Sequence, residues 1–229
     1  MEIWLDTCNS NDIVSTSSLG IVYGVTTNPT LLAKARKDPE TIINSLLECQ
    51  DGPVAVQLLA ENSDEMVQSA LNLHAFSGRI IIKVPATQQG FVAMRALVMK
   101  NVSVMATAIF TPAQALLAAL IGVDYVAPYV GRMLDANIDA FASLEEMLTI
   151  YQKHQLKTKI LAASLRTQEQ VIKCAEVGVH AITFSTPLFL QFIANHPLTD
   201  KCVDGFANDW RAREHQATFA AAWPDRASF

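Results

Sequence analysis

The chain has 229 residues, 51% of them hydrophobic and 17% charged, with 17 basic and 22 acidic side chains for a formal net charge of -5. Intrinsic disorder requires low hydrophobicity and high charge, and the lack of any basic block excludes an electrostatic nucleic-acid surface. The length suits one large domain or two small ones. So few charges cannot cover the outside well, and burial of part of the surface in a homo-oligomer is expected.

In chain order, eight short β-branched runs read as strands: Ile3–Leu5, Ile21–Val25, Val54–Leu58, Ile80–Val84, Val104–Ala108, Tyr125–Ala127, Lys159–Ala162 and Ala181–Phe184. None alternates cleanly, as parallel strands buried on both faces do not. Between them run helical patterns. Met66, Ala70, Leu73 and His74 form one stripe, and Leu134, Ile138, Phe141, Leu144, Leu148 and Tyr151 form another, read as a single helix. Helix starts are expected at Ser63-Asp64-Glu65, Thr111-Pro112 and Thr186-Pro187, and stops at Gly78, Gly122 and Gly178. Strand–helix units repeated eight times predict a single (β/α)8 TIM barrel over 1–229. A doubly wound sheet fits less well, since the turn after the first strand, Asp6-Thr7-Cys8-Asn9, is not glycine-rich. A tail, 198–229, carries Val203, Phe206 and Trp210 at helical spacing, then Phe219 and Trp223. It is expected to be a helical arm, closing its own barrel or packing on a neighbouring subunit.

Cys8, Cys49, Cys174 and Cys202 have no close pair, so neither a zinc site nor a redox pair is expected. Reduced thiols suit a cytoplasmic protein. The start MEIWLDT carries acids where a signal peptide would need basic residues. The most apolar stretch, Ala113 to Val123, is far short of the ~20 residues that span a bilayer. No membrane association is expected.

Barrel active sites lie where strands end. The residues expected there are Asp6, then Thr26 to Thr30, Gln57, Lys83, Thr107, Tyr129, Arg132, Ser164 and Arg166. Lys83, inside Ile80-Ile81-Ile82-Lys83-Val84-Pro85, either snorkels outward or is enclosed by the other strands. Enclosure lowers a lysine pKa, and the neutral amine is a nucleophile that forms Schiff bases with carbonyl substrates. Arg132, Arg166 and Ser164 are either rim residues or a phosphate pocket. The five histidines lack metal-ligand spacing, and there is no Walker loop, G-x-G-x-x-G, G-x-S-x-G or H-E-x-x-H. Neither a metal nor a cofactor is expected.

Four blocks resemble one family. Gly24-Val25-Thr26-Thr27-Asn28-Pro29-Thr30-Leu31-Leu32 is similar to the transaldolase signature. Lys83-Val84-Pro85-Ala86-Thr87, with Gly90, resembles the segment carrying that family's Schiff-base lysine. Ala127 to Arg132 and Ala162 to Arg166 match two further blocks, and the resemblance runs from Ile3 to about Trp210. It implies a TIM barrel without metal that transfers or cleaves a dihydroxyacetone unit of sugar phosphates. By this resemblance Lys83 forms the Schiff base, Asp6 and Asn28 hold donor hydroxyls, and Thr107 positions a water. Arg132, Ser164 and Arg166 take the phosphate. Thr26 and Ala127 fall in the same substrate-binding blocks, though Thr26 also suits a turn or cap role.

The sequence departs from the transaldolase pattern where Gln57 replaces a glutamate, Met105 an asparagine, Ala127 a serine and Tyr129 a phenylalanine. These changes resemble the fructose-6-phosphate aldolase branch, in which a tyrosine is the acid/base and glutamine holds a water. His196-Pro197-Leu198-Thr199-Asp200 is instead similar to the small transaldolases, and Phe184-Ser185-Thr186 before Pro187 departs from the family's eighth strand, so no role is assigned to that loop. The expected activity is that of a class I aldolase joining dihydroxyacetone to glyceraldehyde 3-phosphate as fructose 6-phosphate. Its alternatives are a transaldolase of the pentose phosphate pathway and a non-catalytic sugar-phosphate binding barrel. The family also implies pentamers, sometimes paired as decamers.

Overall fold

The computed structural model describes residues Met1–Ala212. These fall into two compact units, Met1–Phe192 and the segment from Ile193 onward. In the first, eight strands close into a parallel barrel in sequence order. They are β1 (Glu2–Asp6), β2 (Val22–Thr26), β3 (Val54–Gln57), β4 (Ile80–Pro85), β5 (Val104–Ile109), β6 (Tyr125–Pro128), β7 (Lys159–Leu165) and β8 (Ala181–Phe184). Each expected strand is present, with its ends shifted by no more than a few residues.

The intervening helices are α1 (Ser10–Thr16), α2 (Pro29–Ala35), α3 (Pro39–Glu48), α4 (Ser63–Phe76), α5 (Gln88–Val98) and α6 (Pro112–Ile121). They continue as α7 (Val130–Asp135), α8 (Ala140–Lys153), α9 (Gln168–Val177) and α10 (Thr186–Phe192). Side-chain caps set many of their starts. Asn28, Asn62, Thr87 and Thr167 each accept a hydrogen bond from a first-turn amide, and Thr111 with Gln114 forms a capping box. Gly122 and Gly178 end α6 and α9 in the left-handed conformation that glycine adopts freely (φ 96° and 90°).

Three local expectations need correction. The stripe from Leu134 to Tyr151 is two helices, because Asn137 is left-handed (φ 58°) and Asp139 caps a new helix by accepting from the Ala142 amide. Helix α4 is capped by Asn62 rather than by Ser63, and it ends at extended Ser77 rather than on a left-handed Gly78. Thr186 lies inside α10, and its hydroxyl donates to Asp12 Oδ2 (2.9 Å) instead of capping.

The strands separate two apolar cores. Outward residues such as Leu5, Val25, Ile82, Val104 and Ile160 pack under the helices. Inward residues, among them Trp4, Ala55, Ile81, Met105, Tyr125, Leu161 and Ala181, fill the barrel. Gly24 completes this layer for lack of a side chain: a Cβ there would meet the Trp4 ring at 2.9 Å and the Pro53 carbonyl at 2.7 Å. Below it, Glu2 accepts hydrogen bonds from Trp4 Nε1 (3.1 Å) and Tyr125 OH (2.9 Å) and pairs with Lys159.

The second unit holds α11 (Pro197–Ala212), on which Leu198, Val203 and Phe206 are exposed. Phe219 and Trp223 lie outside the described residues.

Candidate active site

Strand side chains repeat with period two, so the residue two places beyond each inward core residue also points inward. Two steps on from Trp4, Gly24, Ala55, Ile81, Met105, Tyr125, Leu161 and Ala181 stand Asp6, Thr26, Gln57, Lys83, Thr107, Ala127, Ala163 and Thr183. An apolar plug thus gives way to a layer that is polar on six strands and small on the other two. It floors a cavity of about 480 Å³ at the C-terminal ends of the strands, lined also by Asn28, Met105, Tyr129, Arg132 and Ser164.

Lys83 is 5% exposed, and its Nζ donates to the Thr27 carbonyl (2.6 Å). Enclosure, not snorkelling, is the outcome. Burial pushes its pKa below the ordinary lysine value, while Asp6 and Cys8 pull the other way. The Cys8 thiol, half-buried beside it, is pushed up to about 11 by burial and by Asp6, against a hydrogen bond from the Asn28 amide and the charge of Lys83.

Asp6 is held on two sides. Thr26 Oγ1 donates to its Oδ1 (2.8 Å), and Asn28 Nδ2 approaches both oxygens (3.4 and 3.2 Å). Thr26 also contacts Thr183, hydroxyl to hydroxyl at 2.7 Å. Across the cavity Tyr129 OH and Thr107 Oγ1 share a hydrogen bond (2.9 Å). The Tyr129 ring is fixed edge-on by Phe110 (centroids 5.7 Å apart), and the Arg132 guanidinium lies 5.1 Å from its centroid. Gln57 Oε1 is buried without a hydrogen-bond partner, an acceptor free for a ligand or water.

Backbone geometry brings the late loops close. Ser164 and Ala108, both lining the cavity, are left-handed at φ 62° and 55°, conformations that cost non-glycine residues about 1–3 kcal/mol. Gly131 lies so near Ser164 that an added Cβ would collide with its carbonyl oxygen. Arg166 differs from the other expected residues. It lies outside the cavity lining and forms a two-pronged pair with Asp135 (2.8 and 2.6 Å).

Asp6, Thr26, Asn28, Gln57, Lys83, Ala127, Tyr129, Arg132 and Ser164 therefore share one cavity, with Thr107 bonded to it through Tyr129. Sequence reading overlooked Thr183 and the Thr27 carbonyl. The first could have been found from the alternation that marks Lys83, applied to Ala181 and its neighbours. The second, a backbone atom, has no signal in residue type. Among the described residues no cluster of three metal-ligating side chains occurs.

A closed eightfold barrel with a polar layer beneath an open mouth defines the chain as a (β/α)8 protein with its site at the usual end. A flavocytochrome b2 (TM-score 0.57, 16% identity over 82% of this chain) shares this fold. The chain spans only 57% of that protein's length, and at such identity the likeness concerns the fold alone. The Transaldolase/Fructose-6-phosphate aldolase family matches residues 3–223, and the chain belongs to that family. It is similar to a protein named probable transaldolase in Thermoplasma volcanium, 39% identical over 92% of this chain and 96% of the relative. Proteins of the same name in Symbiobacterium thermophilum (38%, covering 93% and 98%) and a Thermoanaerobacter species (36%, covering 92% and 97%) are similar too. The chain is thus an enzyme of the aldolase/transaldolase type.

Proposed function

We propose that the chain is a class I aldolase that cleaves fructose 6-phosphate reversibly to dihydroxyacetone and glyceraldehyde 3-phosphate. The observation that carries this reading is the enclosed Lys83 amine in one cavity with Tyr129 and Gln57 and with Asp6 as the only carboxylate among its described lining residues. Lys83 attacks the ketone carbon, and loss of water gives an iminium. That iminium accepts the electron pair released when the C3–C4 bond breaks, as the C4 hydroxyl gives up its proton and glyceraldehyde 3-phosphate departs. The resulting enamine takes a proton at C3, and hydrolysis frees dihydroxyacetone and the amine.

The proton taken from the C4 hydroxyl and returned to C3 needs a carrier. Gln57 cannot exchange a net proton, whereas the Tyr129 phenol, held by Thr107, can do so through a water bound by Gln57 and Thr107. Asp6, Thr26 and Asn28, beside Ala127, orient the dihydroxyacetone end. Arg132 and Ser164 take the phosphate, and Arg166 joins them by exchanging Asp135 for it. In the same reading the protein is a cytoplasmic homo-oligomer, a pentamer or decamer, with 198–229 as a helical arm of its barrel domain. The free state of all four cysteines and the exposed Leu120, Phe206 and Leu198 support this. Among the described residues no helix is long and apolar enough to cross a membrane.

The names of the relatives favour a second reading, a transaldolase that keeps the three-carbon unit until an acceptor sugar arrives, as in the pentose phosphate pathway. Incubation with fructose 6-phosphate alone separates the two. The aldolase releases free dihydroxyacetone, whereas a transaldolase shows turnover only once erythrose 4-phosphate is added.

A further inference from the structure

Thr183 is the polar member of the inward layer that neither the family blocks nor the proton path uses. It is 4% exposed, lines the cavity together with Asp6, and sits in β8 opposite Trp4 of β1, with its hydroxyl against that of Thr26, which in turn holds Asp6. The proton arrangement at this seam follows from counting. A threonine hydroxyl has one proton. Thr26 spends its proton on Asp6 Oδ1. In the 2.7 Å contact between Thr26 and Thr183 the donor must therefore be Thr183. Asn28 gives Asp6 further donated bonds. The chain Thr183 to Thr26 to Asp6 thus points every proton toward the carboxylate. What Thr183 and Asp6 leave for a ligand is acceptor capacity and no donor.

We propose that Thr183 is a specificity-determining residue, its oxygen joining Asp6 in an acceptor-only wall that selects ketones bearing a hydroxyl on the carbon beside the carbonyl that faces β8 and β1. This deepens the aldolase reading and rests on it for the substrate class. A ketone with a hydroxyl at that carbon supplies the proton the wall lacks. One with a methyl group there leaves buried acceptors unpaired, which costs binding. The two smallest ketones that differ in this way are hydroxyacetone, which can turn its hydroxyl to the wall, and acetone, which has none.

The test is an equilibrium titration of both ketones, followed by protein NMR, on the full-length wild type and on Thr183→Val, Thr183→Ala and Thr183→Ser. Valine keeps the shape and removes the hydroxyl, alanine provides a second hydroxyl-free variant should valine disturb the fold, and serine restores the oxygen. Wild type and Thr183→Ser are expected to bind hydroxyacetone about tenfold more tightly than acetone. Thr183→Val and Thr183→Ala should bind the two within about twofold, because the alcohol proton has lost the Thr183 oxygen and the Asp6 carboxylate is already engaged by Thr26 and Asn28. A purely structural role would weaken both ketones together and leave their ratio unchanged. That result overturns the proposal, as does a wild type that fails to discriminate. Failure of the aldolase reading shows separately, as absence of free dihydroxyacetone from fructose 6-phosphate alone, while the affinity ratio still reports on Thr183.

Discussion

Replacing Tyr129 by phenylalanine removes one oxygen and leaves the ring in place. The edge contact with Phe110 and the Arg132 guanidinium 5.1 Å from the centroid both persist, so the Arg132 side of the cavity should keep its shape. What is lost is the 2.9 Å hydrogen bond to Thr107, a residue with no solvent exposure. A buried hydroxyl left without its partner costs about 1–3 kcal/mol, which sets the expected drop in unfolding free energy. The catalytic loss should be larger. A positioned acid/base contributes about 10²–10⁴ in rate, equivalent to roughly 3–5 kcal/mol of barrier. Dihydroxyacetone release from fructose 6-phosphate should accordingly fall by that factor in kcat, with KM changed by no more than about threefold and urea unfolding shifted only by the smaller amount. Thr107→Val should cost part of the same activity. The double variant should be no worse than Tyr129→Phe alone, since Thr107 serves the reaction only through the phenol and the water that the phenol uses. A Tyr129→Phe enzyme with kcat within about threefold of wild type would refute the assignment of the phenol to proton transfer.

Other outcomes follow from the same geometry. Because burial lowers the Lys83 pKa, its amine should become reactive as pH rises through a value below the ordinary lysine range, and Asp6→Asn should move that limb to still lower pH by removing a charge that raises it; amine-labelling rates across pH measure both. The depressed pKa also fixes a sign for stability. Between the folded value and the unfolded value near 10.4 the unfolded chain binds more protons, so wild-type stability gains with pH relative to Lys83→Met by about 1.4 kcal/mol per unit of depression. Urea unfolding at neutral and alkaline pH checks this, and a difference that does not change with pH would contradict it. Gly131→Ala should destabilise the fold by about 1–3 kcal/mol through its collision with the Ser164 carbonyl and raise KM for sugar phosphates; calorimetry and initial rates read the two effects. Asp135→Asn should free Arg166 and lower KM for the sugar phosphate by about two- to fivefold, whereas an unchanged KM would remove Arg166 from the phosphate site.

Much of the barrel is legible in the chain because parallel strands buried on both faces leave short β-branched runs. The same logic singles out Lys83, since a charge inside such a run needs a reason. Long-range and conformational details are not written locally. Nothing near Arg166 announces that Asp135 engages it from the end of α7, and the hydrophobic stripe from Leu134 to Tyr151 hides a break made by one left-handed asparagine and one aspartate cap. Thr183 shows the intermediate case. Its inward direction follows from the strand period, but its bond to Thr26 spans 157 positions of sequence and appears only once the first and last strands are side by side.

The most direct measurement of the central claim is peptide mass mapping after borohydride reduction in the presence of dihydroxyacetone. The enclosed, nucleophilic amine predicts one reduced three-carbon adduct per chain, located on Lys83 and missing from Lys83→Met. An unmodified Lys83 peptide under conditions of full turnover, or an adduct on some other lysine, would contradict it.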